Sequence, residues 1–336
     1  MTPPANRTTR RRFAGSLTAC ALVASGLTPD TADAVAAAPM APHLQSLGWW
    51  MRRTSSKAMA EVRPYYETVL GLPLVRAWEN DLVLLWAGED HVFEVKTDDH
   101  PLRSESDPDR ATCIPVFRSH DLTATAARMA TFGFTPVSQR ATRWGRTIFY
   151  RGPDALITGF EERAVNSPFA ADKKALAQWR RGPSRLADLP PLPSPLHYLS
   201  RAIRHVANVQ GMSTWYRDVF GLKPIGAENG SQLFALGDDV TFEIAPGGAA
   251  LPEPGDRSEL PDSYVLRVHE LDRVMLGLQQ RHARFNGPLI VKEETTRLQY
   301  VADPEGWLTG IEERGRIRPQ YVDDVEAQRR WRARRE

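Results

Sequence analysis

The chain has 336 residues, of which 42% are hydrophobic and 25% charged, as is typical of a soluble globular protein. This length predicts about two domains of ordinary size. The formal net charge is only +2, which argues against a nucleic-acid partner.

The N-terminal residues 1–38 read as an export signal. Three arginines, Arg10, Arg11 and Arg12, precede a modest apolar run from Phe13 to Leu27, and small residues around Ala38 follow. This order resembles a twin-arginine signal peptide and implies the twin-arginine export machinery as a partner, with a periplasmic or extracellular location. The run is too short for a stable membrane span. A lipoprotein signal ending at Cys20 and a plain basic terminus are the alternatives.

The rest of the chain repeats itself. Four pairs of similar segments recur at a spacing of 149 to 151 residues: 65–72 with 215–222, 93–95 with 242–244, 118–122 with 267–271, and 158–163 with 309–314. The repeat predicts a first domain over 39–163 and a second over 197–315. Between them, 164–196 ends in a proline-rich stretch and reads as a linker, and 316–336 forms a basic tail.

Each copy has an internal order as well. In the second copy, Arg201–Val206 alternates like a strand, Met212–Phe220 reads as a helix ended by Gly221, and three short strands follow up to Ile244. The same order begins again at Tyr264. The unit is therefore βαβββ, twice in each copy.

This order, together with the aromatic-Tyr-x-x-Val-Leu/Phe-Gly-Leu helix end and the Asp303–Gly306 turn, resembles the vicinal oxygen chelate superfamily of glyoxalases, bleomycin-resistance proteins and extradiol dioxygenases. The resemblance implies an α+β fold of two tandem domains, each of paired βαβββ modules forming a half-open mixed-sheet barrel around a cavity.

Metalloenzymes of this superfamily place ligands on the first and last strands of each module. The corresponding positions in this chain are Arg201, Glu243, Ser263 and Gly310 in the second copy, and Met51 or Trp49, Glu94, Ile114 and Gly159 in the first. Each copy thus keeps one carboxylate, and a divalent metal needs three or four N, O or S donors. We therefore expect no metal cofactor, with Fe, Mn or Zn as the minority alternative.

Strand alternation suggests which side chains would face a cavity. In the second copy we expect Glu243 and His205 as catalytic candidates, with Arg201, Arg267 and Glu312 binding a substrate. In the first copy we expect Glu94 and Arg118 to bind it, beside Glu161. The alternative is that these acids and arginines form structural ion pairs.

Three functions remain open at this point. The first is a small-molecule binder or a metal-independent lyase or isomerase. The second is a metal-dependent lyase, epimerase or dioxygenase whose shifted ligands are His205, Glu243 and Glu312. The third is a structural or interaction module, and association into a homo-oligomer is left open in all three.

Overall fold

The structure, a computed structural model, describes residues 43–78, 81–88, 91–99, 108–109, 111–164, 195–237, 240–251, 260–292 and 296–314. The predicted signal peptide, nearly all of the linker and the basic tail lie outside these ranges. The described residues form four βαβββ modules in chain order. Within them, no helix is both long and apolar enough to cross a membrane.

The first two modules fill the first copy. The first contains β1 (Leu44–Thr54), α1 (Ser56–Pro64) with a π-helical turn (Tyr65–Val69), β2 (Leu74–Trp78), β3 (Leu82–Trp86) and β4 (Val92–Thr97). The second contains β5 (Cys113–Ser119), α2 (Leu122–Thr131), β6 (Pro136–Thr142), β7 (Gly145–Arg151) and β8 (Ile157–Arg163).

The last two modules fill the second copy. The third contains β9 (Leu196–Val206), α3 (Val209–Asp218), β10 (Lys223–Glu228), β11 (Ser231–Ala235) and β12 (Thr241–Pro246). The fourth contains β13 (Asp262–Val268), α4 (Leu271–Gln280), β14 (Arg284–Lys292), β15 (Thr296–Ala302) and β16 (Leu308–Arg314).

Local signals in the sequence explain the helix boundaries. Asn208 caps α3, because its side-chain oxygen accepts a hydrogen bond from the Gly211 amide at 2.9 Å. Asp121 caps α2 in the same way. Gly221 follows α3 with φ of 75°, a left-handed conformation that glycine adopts without steric cost and that lets the chain turn into β10.

The modules join into two mixed sheets of eight strands each. Sheet I has the order β14-β15-β16-β13-β1-β4-β3-β2, and sheet II the order β10-β11-β12-β9-β5-β8-β7-β6. The predicted α+β class of paired βαβββ modules is confirmed. However, sheet I combines the first module with the fourth, and sheet II the second with the third. The expectation that each copy closes its own barrel is therefore wrong.

In each sheet the two modules are connected through their first strands, and buried polar side chains bond across at least one of these strand pairs. Strand β1 runs antiparallel to β13, and β5 antiparallel to β9. At the first joint, the Asp262 carboxylate accepts from Trp50 Nε1 at 2.7 Å and from Arg52 Nε at 2.8 Å, all fully buried. Removing either partner would leave a buried charge unpaired, at a cost of about 3–5 kcal/mol.

The two sheets share one core. Arg52 of sheet I donates to the Ile157 carbonyl of sheet II at 2.8 Å, while Arg204 of sheet II lies 2.7 Å from the Asp303 carboxylate next to sheet I. Aromatic rings also meet across the boundary, as with Phe242 and Tyr264 at 5.3 Å. The two halves of the repeat are consequently interlocked, with each sheet taking one module from each half.

Candidate functional site

Each sheet carries a cavity. The larger of these two lies on sheet II and has a volume of about 570 Å³. Alternation along β9 places Arg201, Ile203 and His205 on its wall, as the sequence predicted, whereas Phe242 and Ile244 of β12 point into the core. Its charged and polar lining comes from six strands and two loops: Asp109, Arg140, Thr142, Thr147, Arg201, His205, Glu228, Asn229, Ser231 and Glu243.

Arg201 is the centre of a buried ion-pair network. Its Nη1 lies 2.9 Å from Glu243 Oε2, and its Nη2 lies 2.7 Å from Glu161 Oε2. Glu161 also accepts from Arg163 Nε at 2.8 Å and from Ser200 Oγ at 2.7 Å. Burial alone would raise the Glu161 pKa, but Arg163 and Arg201 outweigh it and lower that pKa to about 2. Arg201 therefore binds two carboxylates at once and fixes the position of Glu243.

His205 of β9 lines this cavity. Its Nδ1 lies 2.6 Å from the Ala111 carbonyl oxygen, which can only accept, so Nδ1 carries the hydrogen and Nε2 carries the lone pair. Burial lowers the His205 pKa, against the effect of that hydrogen bond, so the imidazole is neutral at physiological pH. Nε2 is buried in the wall and has no hydrogen-bond partner among the described residues.

Two aromatic side chains form part of the wall of the larger cavity. Trp144 and Phe149 line it, and the Arg140 guanidinium lies 5.0 Å from the centre of the Phe149 ring. A Cβ at Gly226 would overlap the Trp144 indole, so the ring packs closely on β10 and would have to shift for a larger residue. Alternation along β6 could have identified Arg140, but nothing in the sequence indicates that the β6–β7 hairpin lies against the third module.

Arg140 also connects this wall to the ion pairs. Its Nη1 lies 3.7 Å from Glu243 Oε1, and its Nη2 donates to the Asp109 carboxylate. The larger cavity can therefore offer fixed charges of both signs, one neutral imidazole and two flat rings. Such a combination suits a planar molecule with polar substituents.

A smaller cavity of about 380 Å³ lies on sheet I. Glu94 of β4 lines it and is 6% exposed. Burial raises the Glu94 pKa to about 7, although Lys292 and Lys96 oppose the rise. The side chain makes no hydrogen bond or ion pair with any residue that the structure describes. Glu94 thus differs from Glu243, which is paired with Arg201.

The other predicted site residues pack inside the protein. Arg267 and Glu312 are 2% and 0% exposed and lie on sheet I, with 3.8 Å between Arg267 Nε and Glu312 Oε1. Arg314 Nη2 bonds Glu312 Oε1 at 2.9 Å. Arg118 is buried on sheet II and donates to the Tyr198 hydroxyl at 3.3 Å.

The predicted groupings of these residues are therefore wrong in part. Glu94 lies on sheet I, away from Arg118 and Glu161 on sheet II, while Arg267 and Glu312 lie on sheet I, away from Glu243. The cause is the exchange of modules between the sheets. The ion pairs of Glu161 with Arg163 and of Glu312 with Arg314, the structural alternative for these acids, are present.

The side chains do not fit the metal that the superfamily resemblance implies. Across the described ranges, no three His, Cys, Asp or Glu side chains converge on one point. The alternative ligand set is divided, because His205 and Glu243 lie on sheet II and Glu312 lies on sheet I. At the ligand position of β9, the guanidinium of Arg201 already binds Glu243, and a cation does not donate electrons to a metal.

Solved structures of known proteins share this fold. A "putative dioxygenase" from Bacillus subtilis superposes with a TM-score of 0.58 at 11% identity, covering 87% of this chain and 95% of its own. A variant of glyoxalase I from Zea mays superposes with a TM-score of 0.55 at 10% identity, covering 84% and 94%. No family model matches the chain, and no curated protein matches it. At such low identity the likeness establishes the fold alone.

Proposed function

We propose that this chain is an exported protein that binds a planar, polar small molecule in the larger cavity without a metal ion. The observation that carries the proposal is His205: a neutral imidazole with its Nε2 unbonded within the described structure, beside the fixed pair of Arg201 and Glu243. An unpaired buried acceptor costs about 1–3 kcal/mol, which a ligand's hydroxyl or amide hydrogen would recover.

The aromatic wall supports a flat ligand body. Trp144 and Phe149 offer ring faces, while Arg140 and Glu243 provide a hydrogen-bond donor and an acceptor beside them. Phenols and aromatic amides combine these features. The twin-arginine pattern at Arg10–Arg12 supports export in the folded state, so any cofactor could be loaded in the cytoplasm before export.

A thermal-shift screen of phenols and aromatic amides tests the binding, followed by calorimetry on the hits. His205→Asn should weaken a hit's affinity about tenfold or more, since it removes the Nε2 acceptor. His282→Asn is the matched control, because His282 is exposed and has a positive φ, which asparagine tolerates. If the affinity of the hits for the His205→Asn variant is unchanged, the ligand binds elsewhere on the protein.

The metal-free part of the proposal needs a separate measurement. Binding of a hit should survive dialysis against a chelator, and elemental analysis should give far less than one Zn, Fe or Mn per chain. Loss of binding in chelator, with recovery on adding one of these metals, would refute this part while leaving the cavity as the site.

Metal-independent isomerase or lyase activity is the second candidate. A neutral His205 with its lone pair at the cavity wall is the form of imidazole that can accept a proton from a bound substrate. Incubating a confirmed ligand in D₂O distinguishes this function from simple binding. Deuterium incorporation that His205→Asn abolishes would indicate catalysis, and its absence would indicate a binder.

A further inference from the structure

The two cavities occupy equivalent places but differ at one decisive position. Trp49 of β1 pairs with Val92, two residues before Glu94, just as Arg201 of β9 pairs with Thr241, two residues before Glu243. The antiparallel joints give the same equivalence, since Trp49 faces Val265 and Arg201 faces Val116. Trp49 therefore stands on sheet I where Arg201 stands on sheet II.

This exchange changes the state of the acid on the last strand. On sheet II, Arg201 Nη1 lies 2.9 Å from Glu243 Oε2, so the positive charge of the guanidinium is paired with this acid. On sheet I, Trp49 cannot form an ion pair, and its ring lies under the Arg314 guanidinium at 5.0 Å. Glu94 is left as a buried carboxyl that faces an open cavity and has no ion pair in the described part of the chain. Burying such a group is costly unless something pairs with it.

Two lysines face the same cavity. Lys96 lies two residues after Glu94 on β4, so both side chains are on one face of the strand. Lys292, at the end of β14, lines the cavity from the opposite edge of sheet I. Both act on Glu94 electrostatically, as do Arg314 and, with the opposite sign, Glu312.

Apolar side chains complete the lining. The indole of Trp49 and the side chains of Met51, Leu82, Leu260 and Leu298 contribute non-polar surface between the charged groups. Ser263 and Tyr300 also line this cavity. The smaller cavity is thus lined by one carboxyl group, Glu94, by the two lysines and by apolar side chains.

We propose that this smaller cavity is a second, independent binding site for a small carboxylic acid that carries an amino or hydroxyl group on the carbon next to its carboxylate. The ligand's amino or hydroxyl group donates to Glu94, and its carboxylate lies between Lys96 and Lys292. Its side chain packs on Trp49. Both polar contacts are charge-assisted hydrogen bonds, which are stronger than neutral ones.

Calorimetry with four related probes tests the proposal. Phenylalanine and 3-phenyllactate carry both polar groups, whereas 3-phenylpropionate lacks the donor and phenethylamine lacks the carboxylate. The first two should bind, and each of the others should bind about tenfold or more weakly, as expected for the loss of a hydrogen bond to a charged group. Equal affinity for phenylalanine and phenethylamine would overturn the role of the lysines.

Variants assign the binding to this cavity. Glu94→Gln and Lys292→Gln should each weaken phenylalanine binding about tenfold, while Glu61→Gln on the exposed face of α1 should not change it. Glu94→Gln should keep the Tm of the parent or raise it, because it removes an unpaired buried acid.

Trp49→Arg supplies the converse change. It should recreate on sheet I the arginine–glutamate pair of sheet II and abolish phenylalanine binding. Binding that is unaffected by Glu94→Gln and Lys292→Gln, or no binding of any probe at millimolar concentration, would overturn the proposal. Should Trp49→Arg not fold, the result with Glu94→Gln decides.

Discussion

Replacing Arg201 with methionine removes the central cation of the buried network on sheet II. Methionine fills much of the space of the arginine stem, so the change is mainly one of charge. Glu161 and Glu243 would then each lose an ion pair, of 2.7 Å and 2.9 Å. The Glu161 side chain is only 2% exposed, so little water can replace the guanidinium there.

The expected loss of stability can be estimated in two ways. Breaking a buried ion pair by removing one partner costs about 3–5 kcal/mol. The pKa of Glu161 falls from 4.5 to about 2, and one pKa unit is worth about 1.4 kcal/mol, so its partners stabilise the anion by about 3 kcal/mol. Arg163 and Ser200 still bind Glu161 in the variant. We therefore expect a loss of about 3 kcal/mol in the free energy of unfolding at pH 7.

The difference in unfolding free energy between the parent and the variant should also depend on pH. The pKa of Glu161 is depressed in the folded protein, so its stabilisation is complete above pH 4.5 and is lost as pH falls toward about 2. In Arg201→Met that pKa rises, and less stabilisation remains to be lost. The difference in unfolding free energy between the parent and the variant should accordingly be largest at neutral pH and shrink below pH 4.5.

Denaturant titrations of both proteins at neutral and acidic pH measure this difference. Arg146→Met is the matched control: Arg146 binds Glu162 at 2.8 Å, but its side chain is 61% exposed. Exposed pairs contribute about 0–1 kcal/mol, so this control should change little. If Arg201→Met costs no more than Arg146→Met, or if its cost does not fall in acid, Arg201 does not hold the carboxylates as described.

Three further predictions follow from the fold and the sequence. A protease site placed between residues 165 and 194 should be cut without separating the halves in gel filtration, since each sheet contains strands from both; two independently eluting fragments would contradict the sheet order. The Cys113 thiol, 4% exposed and with its pKa raised by burial to about 12, should resist iodoacetamide until denaturant is added, and rapid labelling of native protein would show that this core opens. Changing Arg10, Arg11 and Arg12 together to lysine should retain the protein in the cytoplasm, and undiminished recovery outside it would remove the twin-arginine assignment.

Local features of the fold could be predicted because they depend on neighbours in the chain. The predicted strand Arg201–Val206 lies within β9, and the predicted helix Met212–Phe220 overlaps α3, each with boundaries displaced by a few residues. Helix periodicity, strand alternation and a glycine at the helix end are short-range signals. They also placed Arg201 and His205 correctly on one face of a strand.

The composition of each cavity could not be predicted in the same way. Arg140 and Trp144 reach the larger cavity only because the second module shares a sheet with the third. Glu94 lacks an arginine because Trp49 occupies the equivalent of Arg201, and the sequence left Met51 and Trp49 as alternatives at that position. Sequence spacing gave no basis for choosing between the possible partners of each module.

The sequence by itself determined the βαβββ unit, its fourfold recurrence and the face of each strand, because periodicity and turn residues act over a few positions. Only the tertiary structure decided which modules share a sheet, and so which acids meet which arginines. The physical reason is that loop closure barely distinguishes near from distant modules, at about 0.6 kcal/mol per doubling of loop length. The choice depends on contacts between residues far apart in the chain, such as the buried ion pair of Arg52 with Asp262, which the spacing of the sequence does not reveal.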